Sequence, residues 1–234
     1  MVNGLSESPI VQGLIEAVEL IVTLNPQVVE ITIRSLYISL TATFFAALIA
    51  LPIGALIYFY EFRGKHAVVS TLQTLYALPT VIVGLLIFLL LSNIGPFGPL
   101  RLLYTPGGMI VAQTVLIIPL LMGLTVAALS GIDRDKRYTI TALGASRLQT
   151  VMTIIAEARF AVMAGVLLGF GRAIAEVGTV MIVGGNIRGA TRVLTTAIAL
   201  NTSMANYSLS IALGIILLGV ALGVNIALSL VQRR

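Results

Sequence analysis

The sequence predicts an all-α integral membrane protein, with five transmembrane helices and an N-terminal amphipathic helix. Two observations carry this prediction. Of the 234 residues, 58% are hydrophobic and 10% are charged, whereas a soluble domain carries about 25% charged residues. The chain is therefore too apolar to cover itself with polar groups in water. Its apolar stretches each come close to the roughly 20 residues that a helix needs to cross about 30 Å of hydrocarbon.

The first helix is predicted over Pro9–Leu24. Ile10, Leu14 and Val18 recur at helical spacing, with glutamates on another face, and the following Asn-Pro pair at Pro26 ends the helix. Two placements stay open for it. The helix lies in the membrane interface, or it forms a short span whose glutamates face a partner.

Five apolar stretches follow, and prolines interrupt several of them, as at Pro52, Pro79 and Pro119. The predicted spans are Ser35–Tyr60, Ala67–Leu91, Met109–Leu129, Phe160–Val183 and Leu209–Val231. A shorter helix, apolar on one side and rich in Thr, Ser and Asn on the other, is predicted within Thr191–Tyr207 before the last span.

The positive-inside rule orients these spans with the N-terminus outside and the C-terminus in the cytoplasm. Eight basic residues then lie on the inner side and four on the outer side. The inner ones are Arg63, Lys65, Arg134, Lys136, Arg137, Arg147, Arg233 and Arg234, and the outer ones are Arg34, Arg101, Arg188 and Arg192.

The charged loop before the fourth span has helix and turn signals. Asp133 or Asp135 is placed to cap a helix, and Gly144 is placed to end it. Ser146 with Gln149 three residues later is a capping-box pattern for the next helix. The loop is thus predicted to be a helix, a glycine turn and a second helix.

Exposed apolar residues in this loop, Ile140 and Leu143, favour a partner surface, although an ordinary basic cytoplasmic loop stays open. The chain has no phosphate-binding loop, since its one Gly-Lys pair is Gly64-Lys65. If nucleotide powers transport, the nucleotide binds to another chain.

The fourth span carries two charges, Arg172 and Glu176, which are four residues apart and would share one face of a helix. They form either a gate in a pathway or a structural ion pair that locks the helix bundle. A stripe of small residues allows another helix to approach closely. The stripe consists of Ala161, Gly165, Gly169 and Ala173.

Beyond this span, Asn186, Arg188 and Arg192 are candidates for attracting an anion at the outer mouth, and the alternative is a solvated loop.

Other site classes are disfavoured. The chain has no cysteine and a single histidine, His66, so neither a metal site nor a cofactor is expected. No nucleophile–base pair indicates an enzyme. The single intramembrane pair, Arg172 and Glu176, disfavours a carrier coupled to protons or sodium ions.

The motifs TALGASRLQTV and LLGFGRAIAEVG resemble the signature loop and the following helix of type I ABC-importer permeases, which have the MetI-like fold. Gly144 matches the family's glycine. The family's Glu-Ala-Ala would fall at Tyr138, Thr139 and Ile140 and is absent. Its later Leu-Pro would fall at Ile155 and Ala156 and is absent too.

The segments GRAIAEVGTVMIVGGNI, TRVLTTAIAL and YTPGGMIVAQ closely resemble tungstate permeases of the molybdate/sulfate/tungstate group, and the likeness covers roughly 35–231. It implies a permease domain over 31–234 after an N-terminal segment 1–30. It also implies a loop that couples to the ATPase. The loop residues are Tyr138, Thr139, Ile140, Thr141, Ala142, Leu143, Gly144, Ala145 and Ser146.

The resemblance further implies a homodimer in the lipid bilayer of the cell membrane, with two cytoplasmic ABC ATPase subunits and an extracytoplasmic substrate-binding protein. No nucleic-acid partner is expected. The expected function is ATP-driven oxyanion import, with tungstate as the favoured cargo and molybdate or sulfate as alternatives. A secondary carrier or channel that works alone, and a membrane scaffold without transport, are the rival classes.

Overall fold

The computed structural model describes residues 9–76 and 78–232, and the regular elements in these ranges are all helical, which confirms the predicted all-α class. A short 3-10 turn, Gly98–Leu100, precedes the fifth α-helix. The α-helices of the described residues are α1 (Pro9–Val22), α2 (Pro26–Phe59), α3 (Lys65–Tyr76), α4 (Thr80–Leu91), α5 (Pro106–Ser130), α6 (Arg134–Ala142), α7 (Arg147–Ile174), α8 (Gly178–Gly184), α9 (Leu194–Ser203) and α10 (Tyr207–Gln232).

Among the described residues, four helices, α2, α5, α7 and α10, are long and apolar enough to cross a membrane, and α3 with α4 gives a fifth if the two form one broken span. The predicted break at Pro79 is confirmed, because α3 and α4 are separate helices on either side of it. Helix α9 confirms the short helix predicted before the last span.

The first span starts earlier than predicted, at Pro26 rather than at Ser35. The side chain of Asn25 accepts a hydrogen bond from the backbone N–H of Gln27 at 3.0 Å, as a residue that caps a helix does. Proline fits the first helical position, because its missing N–H would have no partner there in any case. The Asn-Pro pair therefore ends α1, as predicted, and also begins α2.

The fourth span is not the continuous helix predicted over Phe160–Val183. Helix α7 already begins at Arg147 and ends at Ile174, and α8 follows as a separate short helix from Gly178. The polar residues that hold this break are described with the candidate site below.

The chain divides into two compact units. Unit 1 comprises Met1–Ala42, Thr80–Gln113 and Ala173–Gly223. Apolar side chains of α2, α9 and α10 form one of its cores. The buried members of this core are Val28, Ile31, Leu194, Ala197, Leu209 and Leu213.

Helix α1 packs in unit 1 through its small residues. A Cβ added at Gly13 would lie 3.4 Å from Ile211 Cδ1 of α10, and Ala17 is fully buried. The predicted apolar face is the exposed one, since Leu14 and Val18 are about half exposed at 44% and 53%. An exposed apolar face suits contact with lipid.

Unit 2 comprises Thr43–Pro79, Thr114–Arg172 and Val224–Arg234. The small-residue stripe of α7 faces α5 in this unit. A Cβ at Gly165 would lie 3.2 Å from Leu124 Cβ, and a Cβ at Gly169 would lie 2.7 Å from Leu121 Cδ2. The prediction that this stripe lets another helix approach closely is confirmed at both glycines.

Candidate functional site

The loop before α7 has the predicted helix–glycine–helix form. The carboxylate of Asp133 accepts a hydrogen bond from the backbone N–H of Asp135 at 3.1 Å, so Asp133 is the residue that caps α6. At the other end of α6, Ala145 N–H donates to Ile140 O at 3.3 Å, and Gly144 takes a left-handed φ of +84°. Glycine adopts this conformation without steric cost, which explains why the turn falls there.

The capping box before α7 is also confirmed. Gln149 N–H donates to Ser146 Oγ at 3.3 Å, and Ser146 N–H donates to Gln149 Oε1 at 2.8 Å. These reciprocal bonds satisfy two donors that the first turn of a helix otherwise leaves unpaired.

An ion pair ties α6 to α7, in which Lys136 Nζ donates to Glu157 Oε1. The hydrogen bond to Glu157, and then the Coulomb attraction of its carboxylate, raise the pKa of Lys136 above its ordinary value. Both side chains are more than half exposed, so water screens the attraction and the pair holds the loop only weakly.

The predicted coupling residues Tyr138–Ser146 occupy the end of α6 and the turn after it. Leu143 is 82% exposed, as expected for a residue that needs a partner surface. Ile140 is partly buried rather than exposed. The backbones of Tyr138 and Thr141 lie in α6, and their side chains lie outside what the structure describes.

A second polar site occupies the break between α7 and α8. Glu176 is 2% exposed, and its Oε1 accepts a hydrogen bond from Thr179 N–H at 3.0 Å. Thr179 Oγ1 in turn donates to Thr80 O at 2.9 Å, and Thr195 Oγ1 donates to Glu176 O at 2.7 Å. Glu176 thus holds the start of α8 while α9 holds the backbone of Glu176.

The end of α7 is fixed by bonds to the carbonyl oxygen of Ala173. Glu176 N–H donates to it at 3.2 Å and Gln113 Nε2 donates to it at 3.0 Å. Gln113 is buried in α5, and its Oε1 has no hydrogen-bond partner among the described residues. Sequence reasoning missed this glutamine, although an amide inside an otherwise apolar span is a signal for such a contact.

Arg172 and Glu176 do not lie on one continuous helix, because α7 ends at Ile174. The prediction that they share a helical face is therefore wrong. Arg172 is exposed in the last turn of α7, and Glu176 is buried beyond the end of that helix. Their pairing stays a prediction.

The third candidate site is the loop between α8 and α9. Arg192 Nε donates to Asn186 Oδ1 at 3.3 Å, and Asn186 Nδ2 donates to Thr196 O at 3.3 Å. The structure thus brings together two of the three predicted anion-binding residues, Asn186 and Arg192. The polar groups of both side chains form hydrogen bonds that hold the loop. The third residue, Arg188, is exposed.

Two residues that the sequence analysis missed complete this loop. The hydroxyl of Thr191 donates to Gly184 O at 2.5 Å and accepts from Ile187 N–H at 2.9 Å. The guanidinium of Arg34 on α2 donates to Gly189 O at 3.0 Å and to the carbonyl oxygen of the Arg192 residue at 3.3 Å. Hydrogen bonds from Thr191 and from Arg34, both in unit 1, therefore hold the loop in place.

The apolar helices and the charged helix–glycine–helix loop define a multi-pass membrane permease subunit. The chain belongs to the family described as binding-protein-dependent transport system inner membrane components, whose model matches residues 46–234.

Two curated relatives are similar along most of their length. The tungstate uptake system permease protein TupB of Peptoclostridium acidaminophilum is 43% identical over 216 residues, which are 92% of this chain and 95% of the relative. A probable anion ABC transporter permease protein of Haloferax volcanii is 41% identical over 202 residues, which are 84% of this chain and 87% of the relative.

A solved structure has the same fold. It is the MetNI methionine ABC transporter in inward-facing conformations, with a TM-score of 0.64 and 17% identity, over 90% of this chain and 97% of that one. The likeness confirms the predicted MetI-like permease fold.

Proposed function

We propose that this chain is the membrane subunit of an ATP-driven importer and forms the transmembrane pathway for an oxyanion, with tungstate as its cargo. The assignment of tungstate as the cargo rests on the 43% identity to the tungstate permease over 95% of that protein's length. Molybdate and sulfate are the alternative cargoes, because all three are tetrahedral dianions that need the same kind of hydrogen-bond donors.

We infer that the working unit contains two copies of this chain, two cytoplasmic ABC ATPase subunits and an extracytoplasmic substrate-binding protein. ATP hydrolysis then takes place on the ATPase chains. The exposed Leu143 beside the turn at Gly144 supports an ATPase contact in the 138–146 segment, because an apolar side chain at 82% exposure on a charged loop is favoured when a partner covers it.

The N-terminus lies outside and the C-terminus lies in the cytoplasm in this proposal, because this orientation puts most of the arginines and lysines on the inner side. The N-terminal segment 1–30 precedes a permease domain over 31–234. Helix α2 runs unbroken through residues 30 and 31, and the helix break nearest to this boundary lies between Val22 and Pro26.

The proposed mechanism is alternating access. ATP binding closes the two ATPases, which draws the 138–146 segments together and opens the pathway outward. Arg172 and Glu176 act as gate residues, and Asn186, Arg188 and Arg192 attract the anion at the outer mouth. Tight binding in the pathway would slow release, so specificity belongs mainly to the substrate-binding protein.

Reconstitution tests the proposal. The chain is purified with a co-expressed ABC ATPase and placed in liposomes with a substrate-binding protein, and uptake of tungstate, molybdate and sulfate is measured with and without ATP. We expect tungstate uptake that needs ATP and the ATPase. Uptake by this chain alone would instead indicate a carrier or channel, and preferential uptake of molybdate or sulfate would overturn the assigned cargo.

A further inference from the structure

Unit 2 contains a groove whose lining residues, apart from Ala145 in the 138–146 segment, have no role in the proposed transport steps. The last turns of α2 and the first turns of α7 enclose it, and its volume is about 790 Å³. We call it the α2–α7 groove. Its lining residues are Pro52, Ala55, Leu56, Phe59, Tyr60, Ala145, Arg147, Leu148, Thr150, Val151, Ile154 and Ile155.

The lining of the α2–α7 groove is apolar with one charged group. Leu56 and Leu148 are 55% and 67% exposed, so the groove offers aliphatic surface along its length. Arg147 is the one charged residue among the lining residues, and its guanidinium carbon lies 5.8 Å from the centre of the Tyr60 ring. An occupant of matching chemistry is apolar along most of its length and negative at one end.

Arg147 differs from two other loop cations, Lys65 and Lys136, in having no carboxylate partner among the described residues. Lys65 pairs with Glu61 at 2.8 Å and Lys136 pairs with Glu157. Arg147 has no carboxylate partner within the described ranges 9–76 and 78–232, and the α2–α7 groove has no acidic lining residue. A free guanidinium beside a large apolar groove favours an anionic amphiphile.

We propose that the α2–α7 groove binds an anionic phospholipid, with an acyl chain along Leu56, Leu148 and Ile155 and the phosphate on Arg147. The groove is formed by α2 and α7, two of the helices that are apolar and long enough to cross a membrane, and Arg147 is the first residue of α7. A cation at the end of a span lies where lipid headgroups are found. The planar guanidinium binds a phosphate through two parallel hydrogen bonds.

The same features disfavour the transported oxyanion as the occupant. A free dianion needs donors on several sides, and the α2–α7 groove supplies aliphatic carbon and one guanidinium. The proposal therefore concerns a lipid site that is distinct from the proposed pathway, and it does not depend on the identity of the cargo.

Native mass spectrometry of the purified full-length chain tests the proposal, with phosphatidylglycerol as the probe and phosphatidylcholine as the comparison lipid. We expect retention of phosphatidylglycerol over phosphatidylcholine. Arg147→Gln should weaken phosphatidylglycerol binding about tenfold, because a hydrogen bond to a charged group contributes about 1.5 kcal/mol or more. Equal retention of the two lipids would overturn the proposal.

A matched control exists on the same helix. Arg159 is also exposed and also lies over an aromatic ring, with its guanidinium carbon 4.7 Å from the centre of Phe160, but it does not line the groove. Arg159→Gln should therefore leave phosphatidylglycerol binding unchanged. An equal loss in both variants would show unspecific attraction to anionic lipid and would overturn the site.

A second variant tests the apolar half of the α2–α7 groove while leaving Arg147 in place. Leu56→Trp puts a larger side chain at the wall of the groove, and we expect it to reduce phosphatidylglycerol retention. Thermal melting in detergent without added lipid checks that each variant is folded. Unchanged lipid retention in a folded Leu56→Trp protein, or cross-linking of a second copy across the groove in lipid bilayers, would contradict the lipid as occupant.

Discussion

The Glu176 carboxylate accepts a hydrogen bond from Thr179 N–H at 3.0 Å and thereby holds the start of α8 across the break that follows α7. This hydrogen bond gives the buried carboxylate of Glu176 a structural role. Glu176 is 2% exposed, and a carboxylate without donors in such a place would be costly. The backbone amide supplies a donor, while the carboxylate satisfies an N–H group that the first turn of α8 leaves unpaired.

Substitution of Glu176 should lower stability in a graded way. Glu176→Gln keeps a side-chain oxygen that can accept from Thr179 N–H, and Glu176→Ala removes it. Loss of a capping side chain costs about 1 kcal/mol. We therefore expect the melting temperature in detergent to fall from wild type to Gln and further to Ala. If the alanine variant melts like the wild type, the capping role is wrong.

The sequence was sufficient for the helical class and for the order of the apolar spans, because long apolar stretches have few alternatives in a membrane. The bounds of the first and fourth spans were not predicted correctly, since these helices begin at Pro26 and Arg147. The sequence was also sufficient for the turn at Gly144 and the capping box at Ser146, since these signals act over three or four residues. It was not sufficient for the break after Ile174. That break depends on Gln113 and Thr195, which are 60 and 19 residues away from their partners, and no local pattern records such contacts.

A larger side chain at Gly169 on α7 is expected to be costly. Its added Cβ would come within 2.7 Å of Leu121 Cδ2 and 3.3 Å of Ile117 Cγ2, so Gly169→Val requires these buried side chains of α5 to shift. Overpacking of this kind costs about 1–3 kcal/mol. The expected result is a lower melting temperature and a lower yield of folded protein in detergent.

Gly214 provides the control for Gly169, since it also lies inside a long helix and a Cβ there would meet no described atom within 4 Å. Gly214→Val carries the same change in helix propensity without the clash. If both variants lose the same stability, the close approach of α7 and α5 is not the cause.

The two arginines of the α8–α9 loop should behave differently. Arg188 is exposed, and Arg192 donates to Asn186 through both its Nε and Nη2 atoms, at 3.3 and 3.4 Å. Arg188→Gln should slow anion uptake by a few-fold at low salt, with the difference shrinking as salt screens the charge. Its melting temperature should stay at the wild-type value.

Arg192→Gln should lower the melting temperature as well as uptake, because it removes hydrogen bonds that shape the loop. Uptake in the reconstituted transporter and thermal melting are measured at two salt concentrations for both variants. A salt-independent loss in Arg188→Gln would contradict the role of this residue in attracting the anion.

The turn at Gly144 allows the coupling proposal to be tested by backbone conformation alone. Its φ of +84° is a left-handed value, and a Cβ there would meet no described atom within 4 Å, so a substitution acts through strain rather than through a clash. Gly144→Val should disturb the turn, since a β-branched residue is strongly disfavoured at positive φ. Gly144→Asn should preserve it, because asparagine visits the left-handed region with little cost. We therefore expect the valine variant to hydrolyse ATP without matching oxyanion uptake and the asparagine variant to keep the two coupled, as measured with the ATPase in proteoliposomes. Normal coupling of ATP hydrolysis to uptake in a folded Gly144→Val protein would show that the turn is not needed for coupling.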